Sequence, residues 1–217
     1  MSVVNGEKAR LTTLCSQTTI DFMASKKSEM VGLARETFDV IASRLEQKAQ
    51  DIVLFTKAQY SFEEWINCEA FAACSAEQNW HVDPRPSYKK ILRLDKCNDL
   101  GDLLVTNHET GQEVLVEIGL AHDTTTDKWL SKLDADAAKL LRGSVDIVVA
   151  LHVIVLVSST PIRSDEIWQK WLARLDCWNR PGYREPRTPM RLPPTGEMII
   201  RGWATAYPVR PARRSTR

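Results

Sequence analysis

Glu117 interrupts the apolar run Val114-Leu115-Val116-Glu117-Ile118-Gly119. Apolar residues on both sides are the signature of a strand buried on both faces. A carboxylate in such a strand costs on the order of several kcal/mol unless it is paired or meets a cation. Glu69 raises the same question. It falls in the middle of the stripe Phe62, Trp65, Ile66, Ala72, Ala73 and Ala76 of a helix expected from Ser61 to about Ala76. Asp102 opens a further strand in Asp99-Leu100-Gly101-Asp102-Leu103-Leu104-Val105. Carboxylates that meet at a sheet edge repel one another, and a hard divalent cation resolves the repulsion. Oxygen ligands with spare water positions suit Mg²⁺, or Mn²⁺ in its place. Such an ion activates water and stabilises charge on a phosphate undergoing attack. The structural use that competes with this chemistry is an internal salt bridge or a snorkelling side chain.

The elements that must position these acids follow from periodicity. Met30, Leu33, Ala34, Phe38, Ile41, Leu45 and Ile52 fall on one face of an amphipathic helix from Ser28 to Ile52. Ser61-Phe62-Glu63-Glu64 fits a capping box that opens the second helix. Pro84 and Pro86 then break the chain. Three strand-like segments follow, Tyr88 to Leu94, Asp102 to Thr106 and Glu113 to Gly119, with a hairpin turn at Asn107-His108-Glu109-Thr110-Gly111. A helix from Asp127 to Arg142 has Trp129, Leu130, Leu133, Ala137, Leu140 and Leu141 on its inner face, and Gly143 is a natural stop. Ile147 to Ser158 reads as a buried strand, Ser164 to Trp178 as a helix, 181–194 as a Pro-rich loop, and Glu197 to Tyr207 as a last strand. The order ααβββαβαβ predicts an α/β fold with a mixed central sheet flanked by helices, because a strand reached through a helix usually lies parallel to an earlier one. A four-residue hairpin loop, 107–110, sets Asp102 across from Leu115 and diagonal to Glu117, both acids on one face.

Between about residues 61 and 158, Asp102, Glu117 and Glu69 together with this order of elements resemble the metal-binding core of the PD-(D/E)XK nucleases, the restriction-endonuclease-like fold. That resemblance implies that Asp102 and Glu117 are metal ligands and that Glu69 is an auxiliary acid from the preceding helix. It also implies a lysine two residues after Glu117, where it steadies the attacking water or the developing charge. Here that position is Gly119. Lys128 and Lys132 open the next helix. Lys132, one turn inside it, is the candidate replacement, since a lysine side chain is long enough to bridge from helix to sheet. Its competing use is an i,i+4 pair with Asp136. His122 closely follows the motif strand and is a weaker candidate for a proton carrier.

Composition narrows the alternatives. Hydrophobic residues at 43% and charged residues at 26% of 217 residues suit a chain with a sizeable core. The net charge of +1 does not by itself announce a nucleic-acid binder, although Arg210, Arg213, Arg214 and Arg217 form a basic tail. Five cysteines, odd in number and without a CxxC pair, signal neither a disulfide framework nor a zinc site. No signal-peptide pattern is seen, and the most apolar stretch, Val145 to Val157, is too short to span a bilayer. The expected organisation is a helical segment (1–60) packed on an α/β nuclease-like domain (61–207) with a basic tail (208–217). The expected location is cytoplasmic, with no membrane partner. The expected function is a metal-dependent phosphodiesterase acting on DNA. The rival is a nuclease-fold protein without catalysis that works by binding a protein or a nucleic acid.

Overall fold

The structure is a computed structural model that describes residues 31–58, 61–92, 97–125, 127–142, 148–179 and 189–206. The basic tail and Cys15 lie outside the described residues. A helix over 31–47 (α1) is separated by a turn at Lys48 from Ala49–Ala58 (α2). Leu33, Ala34, Phe38, Ile41, Leu45 and Ile52 are all buried, so the apolar face read from the sequence is the packed face.

The third helix, Glu63–Ser75 (α3), starts two residues later than the capping box implies. Its N-cap is Phe62, without a side-chain cap bond. Phe62 is instead packed in the core, and that burial fixes the start of the helix. The strands are Trp80–Pro84 (β1), Leu103–Asn107 (β2), Glu113–His122 (β3), Val148–Ser158 (β4), Met190–Leu192 (β5) and Gly196–Ala206 (β6). They form one six-stranded mixed sheet in the order β1-β2-β3-β4-β6-β5. Only β3 and β4 run parallel, and the helix Asp127–Leu140 (α5) makes the crossover between them.

Two strands differ from the sequence reading. Tyr88–Ile91 is a short helix (α4), not a strand, and Tyr88 is fully buried. The first strand of the meander is β1, which pairs with β2 through Val82↔Val105. It ends in a proline, which an edge strand tolerates because only one side needs its N–H groups. The described end of the Pro-rich segment contains β5, the opposite edge of the sheet. The expected helix after β4 is two pieces, Glu166–Arg174 (α6) and Asp176–Asn179 (α7), because Leu175 between them is extended.

The alternation of β3 sorts the layers. Val114, Val116, Ile118 and Leu120 pack with α1, α2 and α3. On the other face, Leu115 joins Tyr88 and Leu140, while Ala121 joins Leu130, Leu133 and Trp168. Helices thus cover both faces, and β3 is buried from Val114 to Ala121. The buried residues of α1 and α2 share one hydrophobic core with the sheet. No helix among the described residues is long and apolar enough to cross a membrane.

Candidate functional site

The β2–β3 hairpin turns through residues 108–112, where the Asn107 side chain accepts from the Glu109 and Thr110 N–H groups and Gly111 takes φ +65°. This longer turn sets Leu104, not Asp102, across from Leu115. The register differs from the expected one by two residues, so facing parity is unchanged. Continuing the ladder one step past Leu103↔Val116 brings Asp102 level with Glu117.

At that step the ladder breaks. The Asp102 N–H donates to the Val116 carbonyl (3.1 Å), although Val116 is already the partner of Leu103. The Asp102 carboxylate then takes over the role of a strand: its Oδ2 accepts the Ile118 N–H at 2.7 Å. Its Oδ1 accepts from Asn67 Nδ2 on α3 at 3.0 Å. Asp102 therefore caps the point where β2 stops and β3 runs on. Glu117, 4% exposed, stands on the α5 side. Its Oε1 accepts from Tyr88 Oη at 2.5 Å and lies 4.0 Å from Lys139 Nζ.

Both carboxyls hold protons more tightly than usual. Burial pushes Glu117 up to about 8, and the charge of Asp102 adds to this against the opposing hydrogen bond from Tyr88. Burial also pushes Asp102 up to about 6, with the Ile118 N–H working against it and Glu63 and Asp136 adding repulsion. Such displaced values in a recess mark sites where charge is held at a cost.

Lys132 reaches this cluster. It hydrogen-bonds Glu63 on α3, tying α5 to α3. Burial acts to lower its pKa, but the bond to Glu63 and the charges of Asp136 and Asp102 raise it overall. Among the described residues the ion pair of Lys132 is with Glu63. Asp136, 2% exposed, bonds Lys139 at 2.6 Å. The side chain of Lys128 lies outside the described residues.

Glu69 is not brought to the cluster. Its carboxylate pairs with Arg44 at 2.7 Å and with Lys48 at 3.7 Å, on the side of α3 that faces α1. The buried residues of α3 are Ile66, Ala70 and Cys74. Those positions turn Glu63 and Asn67, one helical turn apart, towards Asp102. The alanines at 72, 73 and 76 carried no directional information, and counting them as core rotated the expected stripe. Glu63, Asn67, Tyr88, Asp136 and Lys139 are thus site residues that the sequence reading did not single out. His122 stacks on Phe62 (ring centroids 5.6 Å apart), and burial lowers its pKa, with Asp123 opposing.

Gly119 has a physical reason. A Cβ at this position would collide with Leu133 Cδ2 of α5, and His152 Nε2 would lie 3.7 Å away. Leu133 occupies the volume in which a side chain at 119 would start.

No protein-family model, curated protein or solved structure matches the chain. The site is therefore judged on its own donors. Among the described residues no three His, Cys, Asp or Glu groups stand together as a ready-made metal cage. Two mutually repelling carboxylates, one buried and one half-buried, are what Mg²⁺ asks of a protein, since it keeps several waters and commonly takes one or two carboxylates. Asn67 adds an observation of the same sense. Its Oδ1 is buried and has no donor, directly beside Asp102. The donor set is oxygen only, which suits a small hard cation better than Zn²⁺, whose sites are built mainly from Cys and His.

Proposed function

We propose that the chain is a metal-dependent phosphodiesterase acting on DNA, with Asp102 and Glu117 as the ligands of Mg²⁺ or Mn²⁺. The observation that carries this reading is the pair itself: the buried Glu117 and the half-buried Asp102, level with each other at the end of β2, each pushed up by desolvation and by repulsion. The order α3-β1-α4-β2-β3-α5-β4, in which α4 is a four-residue insertion, supports the resemblance to PD-(D/E)XK nucleases. Bound there, the ion would polarise a phosphate oxygen and lower the pKa of a bound water.

The chain's own groups divide the remaining work. Asn67 and the Ile118 N–H hold the Asp102 carboxylate in one orientation. Tyr88 orients Glu117, and Lys139 supplies positive charge beside it. Glu117 must give up its proton before it can serve as a ligand, so occupancy of the site is coupled to pH. Lys132 is the cation nearest the role of the missing motif lysine. Its bond to Glu63 is exchangeable because the lysine side chain is 39% exposed.

One observation favours the rival reading, a nuclease-fold protein that binds without cleaving. Leu133 closes the motif-lysine position and Lys132 is already engaged by Glu63. One experiment separates the two readings: calorimetric titration with Mg²⁺ and Mn²⁺, then incubation of plasmid and single-stranded DNA with each ion. The phosphodiesterase reading expects metal-dependent cleavage that Asp102→Asn abolishes. Absence of cleavage by the unaltered protein with either ion selects the binding protein.

A further inference from the structure

A cleft of about 320 Å³ opens beside Asp102, between α3, β1 and the start of β2. Asn67, Phe71, Arg85, Leu100 and Asp102 are among the residues that line it. Its size lies at the lower end of small-molecule sites, which run from about 300 to 1,000 Å³. It admits one nucleotide-sized unit and not a stacked base pair.

Arg85 is the unusual wall. It has φ +54° although it is not glycine. That left-handed conformation costs a side-chain-bearing residue roughly 1–2 kcal/mol. The next residue is Pro86, which ordinarily drives its predecessor to extended backbone. The chain holds the strain with a clamp: Arg85 N–H to the Asp102 carbonyl at 3.0 Å, Gly101 N–H to the Pro86 carbonyl at 2.9 Å, and a bridge between Ser87 and Leu100. A strained residue that its surroundings over-determine points to a use for the side chain. The guanidinium is exposed, and among the described residues no carboxylate pairs with it. A planar fork of donors without an acid partner is suited to a phosphate. The apolar part of the cleft is Phe71, half-buried, and Leu100, which is 43% exposed. Both line the cleft and offer a base apolar surface.

We propose that this cleft holds one unstacked nucleotide of a single-stranded or splayed DNA end, with Arg85 on its phosphate and Phe71 and Leu100 against its base. The inference rests on the phosphodiesterase reading and deepens it. Asp102 is among the residues that line the cleft, so a nucleotide seated there lies beside one member of the carboxylate pair. A base within an intact duplex cannot enter without leaving its stack, which costs a few kcal/mol.

The test is fluorescence-anisotropy binding in EDTA, so that no metal takes part. The probes are a short labelled oligodeoxythymidylate, thymidine 5′-monophosphate as competitor, and a duplex closed at both ends by hairpin loops. The single strand is expected to bind, the mononucleotide to displace it, and the closed duplex to bind at least tenfold more weakly. Arg85→Gly is the decisive variant. Glycine accepts positive φ freely, so the variant folds at least as stably as the unaltered protein, and lost binding cannot be laid to misfolding. It is expected to weaken single-strand binding by roughly tenfold to a hundredfold, the usual range for a lost hydrogen bond to a charged group. Leu100→Ser is expected to weaken it less. Equal binding by Arg85→Gly, or a closed duplex bound as tightly as the single strand, overturns the cleft. These failures are distinct from failure of the phosphodiesterase reading. Single-strand binding in EDTA without cleavage in Mg²⁺ or Mn²⁺ leaves the cleft and removes the enzyme. Cleavage of the closed duplex at an unaltered rate by Arg85→Gly leaves the enzyme and removes the cleft.

Discussion

The Tyr88 hydroxyl donates to Glu117 Oε1 at 2.5 Å, tying the four-residue helix α4 to the central strand β3. A hydrogen bond to the charged form favours that form. Tyr88→Phe therefore raises the pKa of Glu117 above about 8. Carboxyl-carbon NMR of labelled Glu117 reads the change directly. An unchanged or lowered value contradicts the assignment.

Glu117 also makes stability depend on pH. Its folded pKa of about 8 lies above the ordinary value of 4.5. Between those values the native state keeps a proton that the unfolded chain releases, so stability falls as pH rises from 4.5 to 8 and then levels off. Glu117→Gln removes this loss. Its advantage over the unaltered protein is expected to grow across that window, reaching on the order of a few kcal/mol by pH 9 in urea denaturation. A gap independent of pH contradicts the prediction. If the proposed metal site exists, saturating Mg²⁺ is expected to act in the opposite direction, because binding requires the ionised carboxylate, and apparent affinity should rise with pH until Glu117 is fully ionised.

Lys132→Ala is expected to lower metal-dependent cleavage by about 10²–10³, the usual cost of removing one preorganised group facing transition-state charge. Calorimetric Mg²⁺ binding should persist in the same variant. Full cleavage by Lys132→Ala removes this lysine from the mechanism.

Glu69→Gln tests the other end of α3. Its partners Arg44 and Lys48 are about one third exposed, so the loss is expected to be about 1 kcal/mol of stability, with cleavage unchanged. A large loss of cleavage with an unaltered fold would return Glu69 to the site.

Gly119→Ala should cost about 1–3 kcal/mol, because the new methyl group meets Leu133. Leu133→Ala also destabilises by leaving a cavity. Thermal denaturation of the double variant should show a loss smaller than the two single losses together, since the added methyl refills part of the space.

Much of this arrangement was legible from period and chemistry, and the gaps have physical causes. The buried face of α1, the strands β2, β3, β4 and β6 and the crossover helix announce themselves because hydrophobic pattern and burial agree there. Asp102 and Glu117 stood out because burying an acid is costly. Glu63 and Asp136 did not. On an amphipathic helix an acid near the polar boundary looks solvated until a facing element covers it, as Asn67 and Lys132 reveal for Glu63 and the sheet does for Asp136. Tyr88 was misplaced because an aromatic followed by aliphatics reads as strand, whereas its burial against Leu115 and Glu117 is a tertiary effect that favours one turn of helix. The edge strands β1 and β5 are short and adjoin prolines, so they carry little pattern of their own.

The hairpin that brings Asp102 level with Glu117 closes over five residues, 108–112, whereas β4 reaches β3 only after the chain has travelled through α5. Short loops close with little entropy loss and form quickly, while long parallel crossovers lag. The two acids are therefore expected to become neighbours early in folding, before α5 delivers Lys132, Lys139 and the cover of Leu133. During that interval the pair is open to water and neither burial nor cation acts on it, so both acids ionise at ordinary values. The protonated Glu117 of the finished protein is then acquired with α5, and proton uptake is expected to act as a clock for the docking of that helix. Stopped-flow refolding with a pH indicator at pH 7 should show uptake in the slow phase.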